Sequence, residues 1–314
     1  VALISLLLAT GLNTLLDANG ITPETHAAND AYTTIYVTLA VQTSFLVGIT
    51  YIFMGIFRLG FVTIFLSHAV ISGFTTGAAV IIGMSQLKYF LGYDVLKSDR
   101  LHILLQRIIQ DIDQFNYKTF LVGTLSTITL VALKHIGKAN KRLKFVRALG
   151  PLTVTIVAIV IQVLFDLETN MGIPIVGAIP KGLPKVTIHL WTPIGSGFVD
   201  SDGNPISTPP IDTSQLFVMV ISIAIVGFME SIAIAKQLAS KHNYELDSSL
   251  ELIGLGMANL GAGAFQGYPV TGSFSRSAVN NESGASSGIS GMVTATLVML
   301  VLLFLTPVFE QLPL

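Results

Sequence analysis

Cysteine is absent from this 314-residue chain, and charged residues are scarce, at 11% of the sequence. Without cysteine, disulfide bonds within the chain and thiolate metal sites are excluded. The six histidines are too scattered to indicate a metal cluster. No nucleophile and base pair or phosphate-binding loop is evident either. We therefore expect no cofactor, no bound metal and no enzymatic activity.

Apolar residues take the place of the missing charges. Hydrophobic residues make up 52% of the chain, and its mean hydropathy is +0.72. A soluble domain carries about 25% charged residues, far more than this one. The composition predicts an all-α polytopic protein of the plasma membrane or an organellar membrane, with the lipid bilayer as its surroundings. A formal net charge of −1 gives no indication of a nucleic-acid partner.

The apolar stretches predict about nine membrane segments, because a helical span needs about 20 residues. We expect an amphipathic surface helix in the charged stretch from Tyr93 to Tyr117. The predicted segments are an opening run to about Leu16, Tyr32 to Phe57, Gly60 to Phe90, Thr119 to Leu133, Leu149 to Phe165, Gln215 to Ala235, Leu250 to Phe265, a short helix after Ser273, and Ser290 to Leu305.

The opening run is too short to cross a bilayer, so it is either a half-helix or a span whose start is missing. It has no initiating Met, basic leader or cleavage-like site, and we interpret the chain as a fragment without a signal peptide. The stretch from Lys134 to Arg147 holds six of the 17 Lys and Arg residues, which predicts a cytoplasmic loop. The stretch from Asp166 to Thr213 is then expected to be a folded outer loop.

A small, polar, Gly-rich stretch from Gly267 to Gly288 lies between two apolar segments. Its backbone cannot face lipid, so it must be packed in protein or line a watery cavity. Pro269 and Gly272 end any incoming helix, and Ser273 is a suitable N-cap for a new helix that begins at Phe274. The pattern predicts a broken helix whose start lies inside the membrane.

The start of that helix has the features of an anion site. Free N–H groups and the positive end of the helix dipole would meet the hydroxyls of Ser273 and Ser275 and the cation of Arg276. A cation inside a membrane costs about 2.5 to 3.5 kcal/mol and is usually retained for function. The serines have a plainer alternative, which is to bond the backbone of the preceding turn, and Arg276 has one in bracing a helix.

Glu230 lies in an otherwise uncharged predicted span. Two readings stay open: a buried structural acid paired with Arg276, or a group that takes up and releases a proton. Two predicted helices, the opening run and the one after Ser273, are short and polar at one end. Such a pair is typical of inverted-repeat transporters with a site at the midplane of the membrane.

Three stretches resemble the SulP family of sulfate permeases and related anion carriers: Gly227 to Lys236, Tyr244 to Asn259, and Tyr268 to Ser283. A fourth, Leu66 to Thr75, is similar to the family's motif at the fifth span, although Ala69 stands where many members have Pro. The resemblance covers the whole chain. It is closest to the plant and algal proton-coupled sulfate transporters.

The resemblance implies a fold of fourteen segments in two inverted repeats of seven, divided into core and gate domains and followed by a STAS domain. On that scheme the chain corresponds to segments three to eleven. Residues 1–60 and 214–314 would belong to the core and residues 61–213 to the gate. Segments one, two and twelve to fourteen, the STAS domain and the Gly-Pro turn before segment three would be absent. A homodimer is expected.

The family's site lies between the facing N-termini of the third and tenth half-helices. This implies a substrate site formed by Val1 and Ala2 on one side and by Ser273, Phe274, Ser275 and Arg276 on the other.

The expected function is secondary active transport of sulfate, coupled to protons through Glu230. One alternative is an exchanger or uniporter for chloride, bicarbonate or oxalate. An alternative of another class is a receptor or scaffold that binds anions without moving them.

Overall fold

The structure, a computed structural model, describes residues 2–23, 31–61, 68–93, 101–110, 112–139, 144–184, 186, 198–199, 205–206, 208 and 211–313. Within these residues the regular structure is helical, apart from two isolated β-bridges. The helices are α1 (Ala2–Ala18), α2 (Ala31–Ile56), α3 (His68–Leu91), α4 (Leu101–Gln110), α5 (Tyr117–Ala139), α6 (Lys144–Phe165), α7 (Leu167–Met171), α8 (Thr213–His242), α9 (Ser248–Ala264), α10 (Phe274–Glu282), α11 (Ile289–Leu300) and α12 (Thr306–Phe309), with a π-helical turn, Val301–Leu305, between the last two.

Four of the described helical segments are long and apolar enough to cross a membrane: α2, α5, α8 and the run Ile289–Phe309. Helix α1 and residues Leu149–Phe165 of α6 are apolar but shorter. Many large apolar side chains on these helices are exposed, as expected of surfaces that face lipid. The predicted all-α polytopic fold is confirmed.

Residues 68–91 form one continuous helix, α3, within the predicted span from Gly60 to Phe90; residues 62–67 lie outside the described part. One detail of the predicted segments is wrong. The basic stretch at residues 134–147 is largely helical, because α5 continues to Ala139 and α6 begins at Lys144. The stretch predicted as a surface helix contains the ten-residue α4, and its place at the membrane surface stays a prediction.

The chain divides into two compact units. The first contains Val1–Ala79 and Pro184–Phe274, and the second contains Val80–Leu183 and Ser275–Leu314. The division into core and gate concerns which parts move during function, and it stays a prediction.

The tightest helix packing in the first unit joins α2 to α9 through glycines. A Cβ atom at Gly256 would lie 2.9 Å from the carbonyl oxygen of Gly48 and 2.5 Å from Cγ1 of Ile52. At Gly55, a Cβ atom would lie 3.0 Å from the carbonyl oxygen of Ser249. Small residues let membrane helices approach closely enough to pack backbone against backbone. The pairing order shows that α2 and α9 run antiparallel.

The core of the first unit is aliphatic and lies among α1, α2 and α8. Helix α1 contributes buried leucine and isoleucine side chains four residues apart, which places them on one face. The hydroxyl group of Tyr51, which is fully buried in α2, donates to the carbonyl oxygen of Ala224 in α8 at 2.9 Å. The core includes Ile4, Leu8, Leu12, Leu16, Ile35, Leu39, Leu216, Ile223 and Ile232.

Aspartate caps set where α8 and α9 begin. The carboxylate of Asp212 accepts from the Ser214 N–H at 2.9 Å, and that of Asp247 accepts from the N–H groups of Ser249 and Leu250 at 2.8 and 3.3 Å. Hydrogen bonds from the side chain and the backbone of Ser214 hold the pKa of Asp212 below its usual value. Both caps satisfy N–H groups that have no partner within their helices.

The second unit contains the antiparallel pair α5 and α6. Between them lies a cavity of about 460 Å³, lined mainly by apolar side chains such as Leu121, Val154 and Ile161. Pro151 lies inside α6, about two turns from its start at Lys144. Glu230, the predicted acidic site residue, does not lie in this unit.

We expect Gly256→Ala to lower the thermal stability of the full-length protein, because the new methyl group would meet Ile52 and the backbone of Gly48. Gly254→Ala on the same helix is the matched control, since a Cβ atom there has no neighbour within 4 Å. Alanine favours helix by about 1 kcal/mol over glycine, so Gly254→Ala should be neutral or stabilising. Equal melting temperatures for the two variants would contradict the close packing of α2 and α9.

Candidate functional site

The chain is not helical at residues 265–273, between α9 and α10, and we call this segment the unwound stretch. Gln266 has a φ of 58°, in the left-handed region, and the N–H of Gly267 donates to the carbonyl oxygen of Ala262 at 2.7 Å. A Cβ atom at Gly267 would lie 2.9 Å from that oxygen, so the turn requires glycine. Pro269 follows and is buried. The sequence thus stops α9 with a left-handed turn and prevents helix from resuming at once.

Asn259 of α9 holds the backbone of Val270 in the unwound stretch. Its Oδ1 accepts from the Val270 N–H at 2.9 Å, and its Nδ2 donates to the Val270 carbonyl oxygen at 2.9 Å. The same Nδ2 donates to the carbonyl oxygen of Leu255 at 2.9 Å. The Asn259 side chain is fully buried. Its amide therefore pairs with the peptide groups of Val270 much as a neighbouring strand would.

Two adjacent residues of α8 hold the next two residues of the unwound stretch. The hydroxyl group of Thr271 donates to Oε2 of Glu230 at 3.1 Å, and the N–H of Gly272 donates to the hydroxyl oxygen of Ser231 at 2.9 Å. Glu230 is only 5% exposed. Three consecutive residues are thus fixed by polar side chains from two helices.

The first turn of α1 reaches the same place. A Cβ atom at Gly227 of α8 would lie 2.6 Å from the hydroxyl oxygen of Tyr51, 2.7 Å from Cγ2 of Thr271 and 3.5 Å from Cδ1 of Ile4. Gly227 and Glu230 share a face of α8 because they are three residues apart. The absence of a side chain at Gly227 therefore allows α1, α2 and the unwound stretch to meet beside the buried carboxyl group.

Helix α10 begins at Phe274, as predicted, directly after Ser273. Ser273 and Phe274 are half-buried, whereas Ser275 and Arg276 are exposed in the first turn of the helix. Phe274, Ser275 and Arg276 open this nine-residue helix, and Ser273 precedes it. Whether they bind an anion together stays a prediction.

Of the other predicted site residues, Ala2 and Glu230 lie in the first unit. Ala2 is exposed at the first position of α1, and Val1 lies outside the described residues. Glu230 is in the middle of α8, bonded to Thr271. The predicted pairing of Glu230 with Arg276 is untested.

Four residues at this site were missed by the sequence reasoning: Tyr51, Ser231, Asn259 and Thr271. A signal was available for two of them, because Asn259 is a polar residue within an apolar segment and Ser231 follows the buried acid directly. Thr271 and Tyr51 had none, since hydroxyl groups are common in membrane helices and their turns.

Comparison with known proteins gives a consistent result. The chain matches the sulfate permease family over residues 1–314. The probable sulfate transporter 4.2 of Arabidopsis thaliana is 43% identical over 313 residues, which cover 100% of this chain and 41% of that protein. The chloroplastic sulfate transporter 4.1 of the same plant is 41% identical over the same shares. The chain therefore spans less than half the length of these relatives.

A solved structure agrees in fold. The murine solute carrier 26 family member A9 (Slc26a9) anion transporter, in its inward-facing state, superposes with a TM-score of 0.77 at 22% identity. The match covers 100% of this chain and 49% of that one. At this level of identity the likeness establishes the architecture alone.

We expect Thr271→Val to destabilise the protein by about 1 kcal/mol, because it removes a hydrogen bond to a buried carboxyl group without changing the side-chain volume much. Thr271→Ser keeps the hydroxyl group and should stay close to the wild type. Thermal unfolding of both variants in the same detergent gives the comparison. A Thr271→Val protein as stable as the wild type would show that the bond to Glu230 contributes nothing.

Proposed function

The chain belongs to the sulfate permease family, and on this basis we propose that it carries sulfate across a membrane by secondary active transport coupled to protons. Members of this family are integral membrane transporters, which confirms the predicted membrane location and the expectation that the chain is not an enzyme. The names of both Arabidopsis relatives as sulfate transporters support sulfate as the substrate.

The observation that carries the proposal is the start of α10 after an unwound stretch fixed inside the first unit. The first N–H groups of a helix have no partner within it and, with the helix dipole, favour an anion. Ser273 precedes this helix directly, and Ile4 in the first turn of α1 and Thr271 of the unwound stretch both lie beside Gly227 of α8. We propose that sulfate binds at the starts of α1 and α10, with Ala2, Ser273, Phe274 and Ser275 around it.

Arg276 supplies the positive charge in this proposal. It is exposed in the first turn of α10, where its guanidinium group adds a full charge to the helix dipole. A guanidinium group can give two parallel hydrogen bonds to an oxyanion, stronger than neutral ones. Arg276 is therefore proposed to contribute more to sulfate affinity than either serine.

Glu230 is proposed to couple sulfate to a proton. A divalent anion that enters a site of low dielectric constant beside a carboxylate is repelled by several kcal/mol. Protonation of the carboxyl group removes this repulsion, so proton and sulfate would bind together. The burial of Glu230 and its bond from Thr271, two residues before Ser273, support this role.

The domain roles and the assembly complete the proposal. Residues 1–60 and 214–314 would form the core that carries the anion, residues 61–213 would contribute to the gate, and the full-length protein would be a homodimer. These points follow from the family resemblance.

We expect Arg276→Ala to reduce sulfate uptake by proteoliposomes of the full-length protein at least about tenfold, because loss of a charged hydrogen bond costs about 1.5 to 3 kcal/mol. Arg276→Lys keeps the charge but not the two parallel bonds, and it should fall between Arg276→Ala and the wild type. Lys241→Ala, which removes an exposed cation from the last turn of α8, is the control. Wild-type uptake by folded Arg276→Ala protein would remove Arg276 from the site.

We expect Glu230→Gln to abolish accumulation of sulfate driven by a pH gradient while sulfate counterflow persists. Glutamine resembles the protonated acid in shape and charge, so the variant should still bind and exchange sulfate. Glu245→Gln, in the exposed connection between α8 and α9, is the matched control.

The other outcomes for Glu230→Gln are equally informative. Joint loss of counterflow, pH-driven uptake and stability would assign Glu230 a structural role, in which it holds the unwound stretch through Thr271. Retained pH-driven accumulation would place the coupling group elsewhere.

A further inference from the structure

We infer that Asn259 is a positioning residue that sets where α10 begins and thereby how tightly the anion is held. The inference rests on the proposed function, because it concerns the same site. Asn259 has no proposed contact with the anion; its side chain acts on the unwound stretch four residues before Phe274.

The first step is the geometry of the Asn259 amide. All three of its side-chain hydrogen bonds are 2.9 Å long, two of them to Val270 and one to Leu255. A planar amide bonded at both its oxygen and its nitrogen to one residue fixes the distance and the orientation of that residue. Val270 can therefore neither slide along α9 nor rotate without breaking both bonds.

The second step is the rigidity of α9, the helix that carries Asn259. Asn259 is fully buried in α9, which packs closely against α2. On the same helix, a Cβ atom at Gly256 or Gly263 would overlap α2 at Ile52 or Phe45. Helices α2 and α9 are thus closely packed, and Asn259 bonds the unwound stretch to this rigid pair.

The third step is that Val270 is held by a different helix from Thr271 and Gly272. Thr271 and Gly272 are held by Glu230 and Ser231 of α8, whereas Val270 is held by α9. Loss of the two hydrogen bonds between Asn259 and Val270 would leave the bonds to α8 in place and would remove only the hold of α9 on Val270. We therefore expect a protein that folds but whose α10 start is less well fixed, which lowers anion affinity because binding must then restore the order.

The test uses Asn259→Ser as its main variant. A serine hydroxyl group in a helix can bond the carbonyl oxygen four residues earlier, here that of Leu255, but it is too short to pair with Val270. Asn259→Ala is the second variant. Ser44→Ala is the matched control, because it removes a buried hydrogen bond to the same residue and leaves the pair with Val270 intact.

Two measurements on the full-length protein are combined. The first is the apparent KM and the maximal rate of sulfate uptake per folded transporter. The second needs no substrate: Ser273→Cys is introduced into a background with no other cysteine, and its rate of labelling by a soluble maleimide is measured. Because this chain has no native cysteine, only residues outside it require replacement for that background.

We expect Asn259→Ser and Asn259→Ala to raise the apparent KM for sulfate roughly fivefold or more, a factor that corresponds to about 1 kcal/mol. The maximal rate should change much less, and labelling at position 273 should become several-fold faster. Ser44→Ala should lower the melting temperature comparably while leaving KM and labelling unchanged.

Each contrary result has a distinct meaning. Unchanged labelling in a folded Asn259 variant, or faster labelling with an unchanged KM, would overturn the positioning role. Equal changes in Ser44→Ala would overturn it too, because they would follow from lost stability alone. Absence of sulfate uptake by the wild-type protein would instead overturn the proposed function, and the labelling rates would still decide whether Asn259 positions the stretch.

Discussion

The unwound stretch is governed by one constraint, which is that backbone N–H and carbonyl groups at membrane depth must find partners inside the protein. Asn259, Glu230 and Ser231 meet much of this requirement by bonding three consecutive residues. Because these side chains come from α8 and α9, the position at which α10 begins depends on both helices. The glycines between α2 and α9 provide part of that rigidity.

The break in the helix could be predicted from local sequence. Pro269 and Gly272 disfavour helix, Ser273 is a suitable cap, and α10 begins at Phe274 as expected. These signals are local because they depend on φ, ψ and hydrogen bonding within a few residues. The same reasoning placed one span between Gly60 and Phe90, and the described part of that stretch is one helix, α3.

The contacts that hold the stretch could not be predicted in the same way. Thr271 and Glu230 are 41 residues apart in sequence, and the pair forms only because α8 and the unwound stretch pack together. Asn259 and Val270 are 11 residues apart and meet because the chain reverses after α9. Such pairs depend on tertiary packing, which neither periodicity nor capping rules describe.

The most direct test is the location of the bound anion. We propose a structure determination of the full-length protein with sulfate by electron cryomicroscopy. We predict density for a tetrahedral anion within hydrogen-bonding distance of the first N–H groups of α10, beside Ser273 and Arg276. Sulfate bound away from residues 273–276 would contradict the proposed site.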